Sequence, residues 1–378
     1  MFLSTLRLRN FRNFADQALE LPPQGVAIVG DNGQGKTNLL EAIYYLEIFR
    51  SFRGAADEQL VRFGEEVFRI EGQVGTPEGR THTVAAAFDR RARKKKVTLD
   101  GAEPPRMGDA LGVVGAVIFS PSDVEIVSGS PSVRRRFLDI VLSLAVPGYL
   151  ATLQRYRQVL QQRNALLRRG APGAQVAAWD AGLVAAGSRV MAARARWVAE
   201  RAPSFARRAA EIAGGPGSAM HYEPSFDAWD GVGEEALPGI EDAFARELER
   251  VSEREQRRGM TLVGPHRDDL RLEAVLASRA TPVDLRTYGS GGQQRTAAVA
   301  LRMVEAETLS ETRQRSPIIL LDDVFAELDP GRSRRILDWV EEGEGGQVVL
   351  TAPKPSDFEV RGGTLPRWRI ENGVVRDA

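Results

Sequence analysis

The chain has 378 residues, with Lys+Arg and Asp+Glu balanced at 51 each, 43% hydrophobic residues, three histidines and no cysteine. Its length exceeds one ordinary hydrophobic core, so two or more lobes are expected. The lack of cysteine excludes disulfides, thiolate zinc sites and cysteine nucleophiles, and three histidines leave little for metal chemistry. No stretch of about 18 uncharged apolar residues occurs, and the opening MFLSTLRLRNFRNF scatters arginines where an export signal needs a continuous apolar run. A soluble, unexported, cytoplasmic protein is expected, with no membrane partner in its own chain.

In chain order, the first 120 residues read as strands with one early helix. Gly25 to Val29 is a short apolar run ending in a glycine-rich turn, and Lys36 to Phe49 carries apolar residues at helical spacing, giving strand, loop, helix. From Val67 to Asp100 the pattern predicts a meander with turns at Thr76 to Gly79 and at Asp100-Gly101; Val114 to Phe119 reads as a buried strand. Pro131 to about Arg258 is helical in character and rich in alanine, with Tyr149, Leu153, Tyr156, Leu160 and Leu167 on one stripe and glycine breaks at 170–173, 214–217 and 259. The α/β pattern then resumes with a strand at Pro317 to Leu321, a helix at Gly331 to Glu342, a strand at Gln347 to Thr351 and a hairpin turn at Asn372-Gly373. The organisation that follows is 1–130, a lobe at 131–258 and 259–378, with no helix longer than about 40 Å at 1.5 Å per residue.

Global charge is silent, but its distribution is not. Pro131 to Ala213 holds fourteen arginines against four acids, a surplus of ten, and Glu223 to Arg258 reverses this with eleven acids against five arginines. Segregation of this kind suits a face for a polyanion, although only five basic residues are lysine and an arginine-rich composition accounts for part of it.

Gly30 to Thr37, GDNGQGKT, matches the phosphate loop G-x-x-x-x-G-K-[ST] in its required context, strand before and helix after. Backbone N–H groups of Gly30, Asp31, Asn32, Gly33, Gln34 and Gly35 are placed to surround phosphates, with Lys36 reaching the outer ones, Thr37 holding Mg²⁺ and Asn38 following on the helix. Asp322 and Asp323 end the apolar strand PIILLDD as a Walker B pair, the first supporting Mg²⁺ and the second polarising an attacking water. Lys36, Asp322 and Asp323 are thus the candidate catalytic residues, Thr37 and Asp322 the candidate metal ligands, and ATP with Mg²⁺ the expected cofactors. Ser290, Gly291, Gly292 and Gln293 open an amphipathic helix shortly before the acidic pair.

Ser290 to Gln293 resembles the signature motif of ABC ATPases, and Ala326, Glu327, Leu328 and Asp329 look like the D-loop of that superfamily. The resemblance implies that the signature covers the γ-phosphate bound by a second subunit, so that ATP drives dimerisation. About 250 residues separate phosphate loop and signature, far more than in a transporter ATPase, so a lobe is inserted into the head. The fold class expected is α/β, an ABC-type P-loop ATPase head (mixed sheet with an antiparallel β subdomain) interrupted by an inserted helical lobe. Coiled coils of SMC length and a CxxC hook are both lacking.

The motifs NFRNF at 10–14, RSFR at 50–53, FSPSDVEIVSGSPSVRRRFLD from Phe119 and GPHRDDL from Gly264, taken with the three above, resemble the RecF family over nearly the whole chain. That resemblance implies a homodimer with slow ATP hydrolysis, binding to duplex and gapped DNA, cooperation with RecR and RecO in placing RecA, and association with the nucleoid. Two departures from the wider ABC pattern point to slow turnover: position 323 is aspartate, one methylene shorter than the usual glutamate, and no histidine follows the strand at 347–351. Arg90, Arg91, Arg93, Lys94, Lys95 and Lys96 on one hairpin tip, and Arg134, Arg135 and Arg136 at the start of the basic lobe, are the DNA candidates; a solvated hairpin and pairing with the acidic segment are the competing readings. Arg12 and Arg53 belong to the nucleotide or the DNA face, and His266 and Arg267 have no assigned chemistry. The rival functions are the ATPase subunit of a transporter, which needs a membrane partner, and a metabolic P-loop enzyme, which needs no signature.

Overall fold

Apolar residues alternate through FLSTLRLRNF, burying Leu3, Leu6, Leu8 and Phe11 on one side, and so the chain starts with a strand, β1 (Phe2–Phe11). The computed structural model describes residues 2–75, 79–226, 234–274, 281–342, 346–353 and 365–377; of the expected turn at Thr76 to Gly79, residues 76–78 lie outside them. After β1 come β2 (Phe14–Glu20), β3 (Gly25–Val29), α1 (Lys36–Ile48), α2 (Asp57–Leu60), β4 (Val67–Gly75), β5 (Thr81–Asp89), β6 (Lys94–Leu99) and β7 (Ala116–Phe119). Next are α3 (Val124–Ser128), α4 (Pro131–Ala145), α5 (Tyr149–Arg168), α6 (Gly173–Ala177), α7 (Asp180–Ala213), β8 (Ser218–Glu223), α8 (Leu237–Arg258), β9 (Asp269–Ala274), β10 (Val283–Asp284), α9 (Leu285–Tyr288) and α10 (Gly291–Arg313). The chain closes with β11 (Ile318–Asp322), α11 (Pro330–Glu342), β12 (Val348–Ala352), β13 (Arg367–Glu371) and β14 (Val374–Asp377). Among the described residues no helix is long and apolar enough to cross a membrane.

Packing divides the chain into one unit of Met1–Asp123 with Glu305–Ala378 and a second of Val124–Val304. The sequence pattern places the changes at 130 and 258 instead. The difference has a local cause: β9 pairs antiparallel with β8, and Arg134 of α4 forms an ion pair with Asp269 of β9, so the segment beyond Gly259 packs with the helical lobe. The lobe also contains a three-stranded sheet, β10-β9-β8, that its helical composition conceals. α7 has 34 residues and reaches about 50 Å, longer than expected. The buried stripe of α5 is Tyr149, Leu153, Tyr156, Val159, Arg163 and Leu167, with Leu160 only partly buried.

In the first unit, a central six-stranded sheet has the order β14-β13-β3-β12-β11-β7, parallel except for the edge strand β14, and an antiparallel sheet has the order β2-β1-β4-β5-β6. α1 packs against strands of both, and its burial nearly all round explains why it carries no polar face. The Asn372-Gly373 turn joins β13 to β14 with both residues left-handed, at φ 48° and 76°.

Gln347, just before β12, is buried and links the two sheets: its Oε1 accepts the Leu3 N–H at 2.8 Å, and its Nε2 donates to the Leu3 and Pro22 carbonyls at 3.0 and 2.9 Å. Gln347→Ala strands three backbone groups, two of them buried, and is expected to lower stability by about 3 kcal/mol, read from denaturant unfolding. A loss under 1 kcal/mol removes this residue from its bracing role.

Candidate functional site

In a parallel sheet the loops after the carboxyl ends of neighbouring strands share one edge. Here β3 runs into the phosphate loop, β11 ends at Asp322, and β12 lies between them, ending near Thr351. Gly33 and Gly35 turn the loop with φ of 83° and 117°, a backbone that favours glycine; at Gly35 a Cβ would also come within 2.5 Å of the Asn13 side-chain amide and displace it. Asp31 and Asn32 are exposed. Gln34 pins the loop from two sides: its carbonyl accepts from Asn13 Nδ2 at 2.8 Å and from the Gly373 N–H at 3.0 Å, and its side chain accepts from the Asn372 N–H at 2.7 Å. A cavity of about 600 Å³ opens beside it, lined by Gly30, Asp31, Gln34, Pro353, Arg367 and Asn372.

Lys36 is buried, its Nζ donating to the Gly30 carbonyl at 2.6 Å and lying 3.9 Å from Asp323 Oδ2. Thr37 Oγ1 donates to Asp322 Oδ1 at 2.9 Å, joining residues 285 positions apart. The Thr351 hydroxyl is 3.1 Å from Asp322 Oδ1 and 3.3 Å from Asp323 Oδ1, and it accepts the Asp323 N–H at 3.0 Å. Asp323 sits in the left-handed region at φ 46°, a strained conformation held by these contacts. Sequence reasoning missed Thr351, Gln34 as a brace and Asn13; the only signal was that hydroxyl and amide residues end one strand and follow another.

Asn38 donates to Asn13 Oδ1 at 2.8 Å and accepts from Arg53 Nη1 at 3.3 Å. Glu41, fully buried one turn further along α1, accepts both Arg12 Nε at 2.8 Å and Nη2 at 2.9 Å, with Ser51 and Arg53 beside it. Three motifs therefore meet on one carboxylate. Arg12 is spent on this clamp and on the Gln59 carbonyl, whereas Arg53 is half exposed next to the loop.

Ser290 and Gln293 form a reciprocal helix cap on α10: the Gln293 N–H donates to Ser290 Oγ at 3.3 Å and the Ser290 N–H to Gln293 Oε1 at 2.8 Å. Ser290 and Gly291 are exposed, and Gly292 and Gln293 half-buried. Leu328 donates its N–H to the Phe325 carbonyl at 3.4 Å; Asp329 caps α11 by accepting the Arg332 N–H at 3.1 Å. The side chains of Ala326 and Glu327 lie outside the described residues.

The DNA candidates separate. On the hairpin, strand alternation turns Lys95 to the opposite face from Lys94 and Lys96, and its ammonium is 2.8 Å from Asp57 and over the Tyr45 ring. Arg91, Arg93 and Lys96 pair with Glu66, Glu58 and Glu103 at 3.2, 2.7 and 3.0 Å, and Arg90 donates to the Glu58 carbonyl, while exposed Lys94 forms no salt bridge among the described residues. The six cations therefore do not form one bare basic face. Arg134 is also withdrawn: it is buried, bidentate to Asp269 at 2.7 Å, and donates to the Gly129 carbonyl. Arg135 donates to the Asp268 carbonyl at 2.6 Å, and Arg136 is exposed. In the GPHRDDL segment, His266, Asp268 and Asp269 are likewise tied into the fold. His266 Nε2–H donates to the Thr261 carbonyl, so Nδ1 accepts from the Tyr156 hydroxyl at 2.6 Å, and burial pushes the imidazole down to about 4, which keeps it neutral at pH 7. Asp268 accepts from Tyr222 and Ser225.

Residues 2–362 match the family model described as the RecF/RecN/SMC N terminal domain. The DNA replication and repair protein RecF of Salinibacter ruber (strain DSM 13855 / M31) is 37% identical over 368 residues, covering 95% of this chain and 86% of that relative. The chain belongs to the RecF family of DNA replication and repair proteins. The RecF of Synechococcus sp. (strain JA-3-3Ab) is 38% identical over 95% of this chain and 93% of its own length. A solved structure described as the recombination mediator protein RecF-ATP in the RecFOR pathway has TM-score 0.88 at 32% identity, over 100% of this chain and 97% of that one. The Smc head domain of Pyrococcus furiosus, at TM-score 0.57 and 14% identity, shares the fold alone. The fold is that of an SMC/RecF ABC-type ATPase head.

Burial raises the Asp322 carboxyl to about 6; the Thr37 hydrogen bond opposes this and the Asp323 charge adds to it. A folded-state value above that of the unfolded chain favours the protonated native form, so the stabilisation is complete below about pH 4 and is lost as pH rises through about 6. Asp322→Asn, neutral throughout, is expected to exceed the parent in stability by about 3 kcal/mol at pH 8 and to converge with it near pH 3.5, measured with no added cation or nucleotide. A pH-independent difference excludes the buried carboxylate as its cause. Arg134→Ala leaves Asp269 uncompensated and is expected to cost about 3 kcal/mol; a variant as stable as the parent refutes the structural assignment.

Proposed function

We propose that the chain is an ATP-gated homodimer that binds duplex DNA near single-strand gaps and uses slow ATP hydrolysis to let go. The observation that carries this reading is the meeting of Lys36, Thr37, Asp322, Asp323 and Thr351 at one sheet edge, next to a glycine loop whose N–H groups suit phosphates. Lys36 neutralises the outer phosphates, and Asp323, held by Thr351, orients the attacking water. The shorter aspartate and the lack of a switch histidine make this step slow, which fits a release timer better than a motor. The Thr37 hydroxyl and the Asp322 carboxylate are hard oxygen donors, and the raised Asp322 carboxyl is what a neighbouring cation relieves, so the pair fits Mg²⁺. Mg²⁺ held there would neutralise charge on the β- and γ-oxygens. Ser290 to Gln293 present a helix N-terminus to the γ-phosphate of the second subunit, with Ala326 to Asp329 as the D-loop.

For the ATPase head we retain the functional division 1–130 and 259–378, with the lobe 131–258 inserted. The RecFOR context of the ATP-bound relative supports action with RecR and RecO, placing RecA in gap repair, replication restart and the SOS response, in the cytoplasm at the nucleoid.

Light scattering with and without ATP and a gapped duplex tests dimerisation and substrate together. Lys36→Met is expected to abolish ATP binding, and Ser290→Arg to spare it but block closure. A mixture of the two variants restores one intact composite site, so partial ATP-dependent association or hydrolysis should return where neither variant shows any. A Ser290→Arg protein that dimerises on ATP like the parent overturns the composite site.

A further inference from the structure

Two arginine pairs distant in the sequence end side by side in the helical unit. α5 runs out through Arg168-Arg169 and α8 ends in Arg257-Arg258, and all four side chains are exposed. Asn164 of α5 accepts both the N–H and the hydroxyl of Thr261, at 2.7 and 2.8 Å, while Arg163 donates to that hydroxyl at 2.9 Å. Gly259, the left-handed cap of α8, lies beside the end of α5: a Cβ there would be in ordinary contact, 3.6 Å from the Arg168 Cα. Exposed Arg267 joins them through hydrogen bonds to Met260 Sδ and the Thr261 carbonyl.

Among the described residues, none of the five pairs with a carboxylate. Glu255, on the last turns of α8, is turned inward onto Arg163 at 2.7 Å, and α5 has no Asp or Glu in its 20 residues. One cation suffices to answer the dipole at a helix C-terminus, so two at each of two adjacent ends plus a fifth exceed that need. Guanidinium groups suit phosphate oxygens, and no Phe, Tyr or Trp is adjacent in sequence to any of the five for stacking on bases. The head hairpin differs, because carboxylates already occupy most of its cations.

We propose that Arg168, Arg169, Arg257, Arg258 and Arg267 form a site for the phosphate backbone of duplex DNA, separate from the nucleotide site. This rests on the DNA-binding reading above and names the surface that serves it.

The test is equilibrium binding of the full-length protein to a fluorescent duplex with ATP over a range of salt. Replacing Arg168, Arg169, Arg257 and Arg258 with glutamine is expected to reduce the slope of log affinity against log salt by about 0.9 per lost contact, with ATP-driven association and thermal midpoint unchanged. The matching four-lysine variant should keep most of the slope, which a packing role would not predict. An unchanged slope in a folded glutamine variant overturns the site. So does a variant that keeps its DNA slope but loses binding to poly-glutamate, since the surface then serves an acidic protein. If the parent shows no ATP-dependent duplex binding, the DNA reading itself fails and this site falls with it; a parent that binds while the glutamine variant matches it refutes the site alone.

Discussion

The nucleotide site turns on a carboxylate that water does not reach. Asp322 is buried at the end of β11 against the Thr37 and Thr351 hydroxyls and the neighbouring Asp323, and burial costs its charge more than these hydroxyls return. Every adjacent feature bears on that imbalance. Lys36 comes close to the pair from the loop, and Arg53 lowers the Asp322 carboxyl from the loop after α1. A site left short of positive charge is suited to a ligand that brings a cation with it, which makes nucleotide binding an electrostatic completion of the sheet edge.

The support around this edge is built from hydrogen bonds between distant segments. Gln34 takes bonds from the turn after β1 and from the β13–β14 hairpin, and Gln347 ties β1 to the approach to β12. Amides suit this work because each offers donors and an acceptor together, so backbone groups left over by two sheets of different direction find partners. Glu41 does the same for charge, gathering Arg12, Ser51 and Arg53 on one buried carboxylate.

The helical unit uses arginine in two ways. Arg134, Arg163 and Arg194 are buried and matched to Asp269, to Asp180 with Glu255, and to Asp139. Such pairs fix which elements meet more than they add stability, because both partners are desolvated. Arginines at the ends of α5 and α8 are exposed and, among the described residues, form no ion pair, so they remain available to an outside anion.

Sequence by itself determined the phosphate loop, the acidic pair, the strands that carry them and the glycine caps at 214 and 259, because each depends on local backbone geometry and short-range periodicity. It also determined the family, through motifs too specific in combination to arise from composition. Tertiary structure alone decided which charges are free. Runs such as Arg134 to Arg136 or Lys94 to Lys96 look uniform along the chain, yet Arg134 is buried on Asp269 and Lys95 faces Asp57 while their neighbours reach solvent. The same holds for Thr351 beside Asp322 and for Arg168 beside Gly259. Pairing and burial depend on residues tens to hundreds of positions away, and no local pattern encodes them.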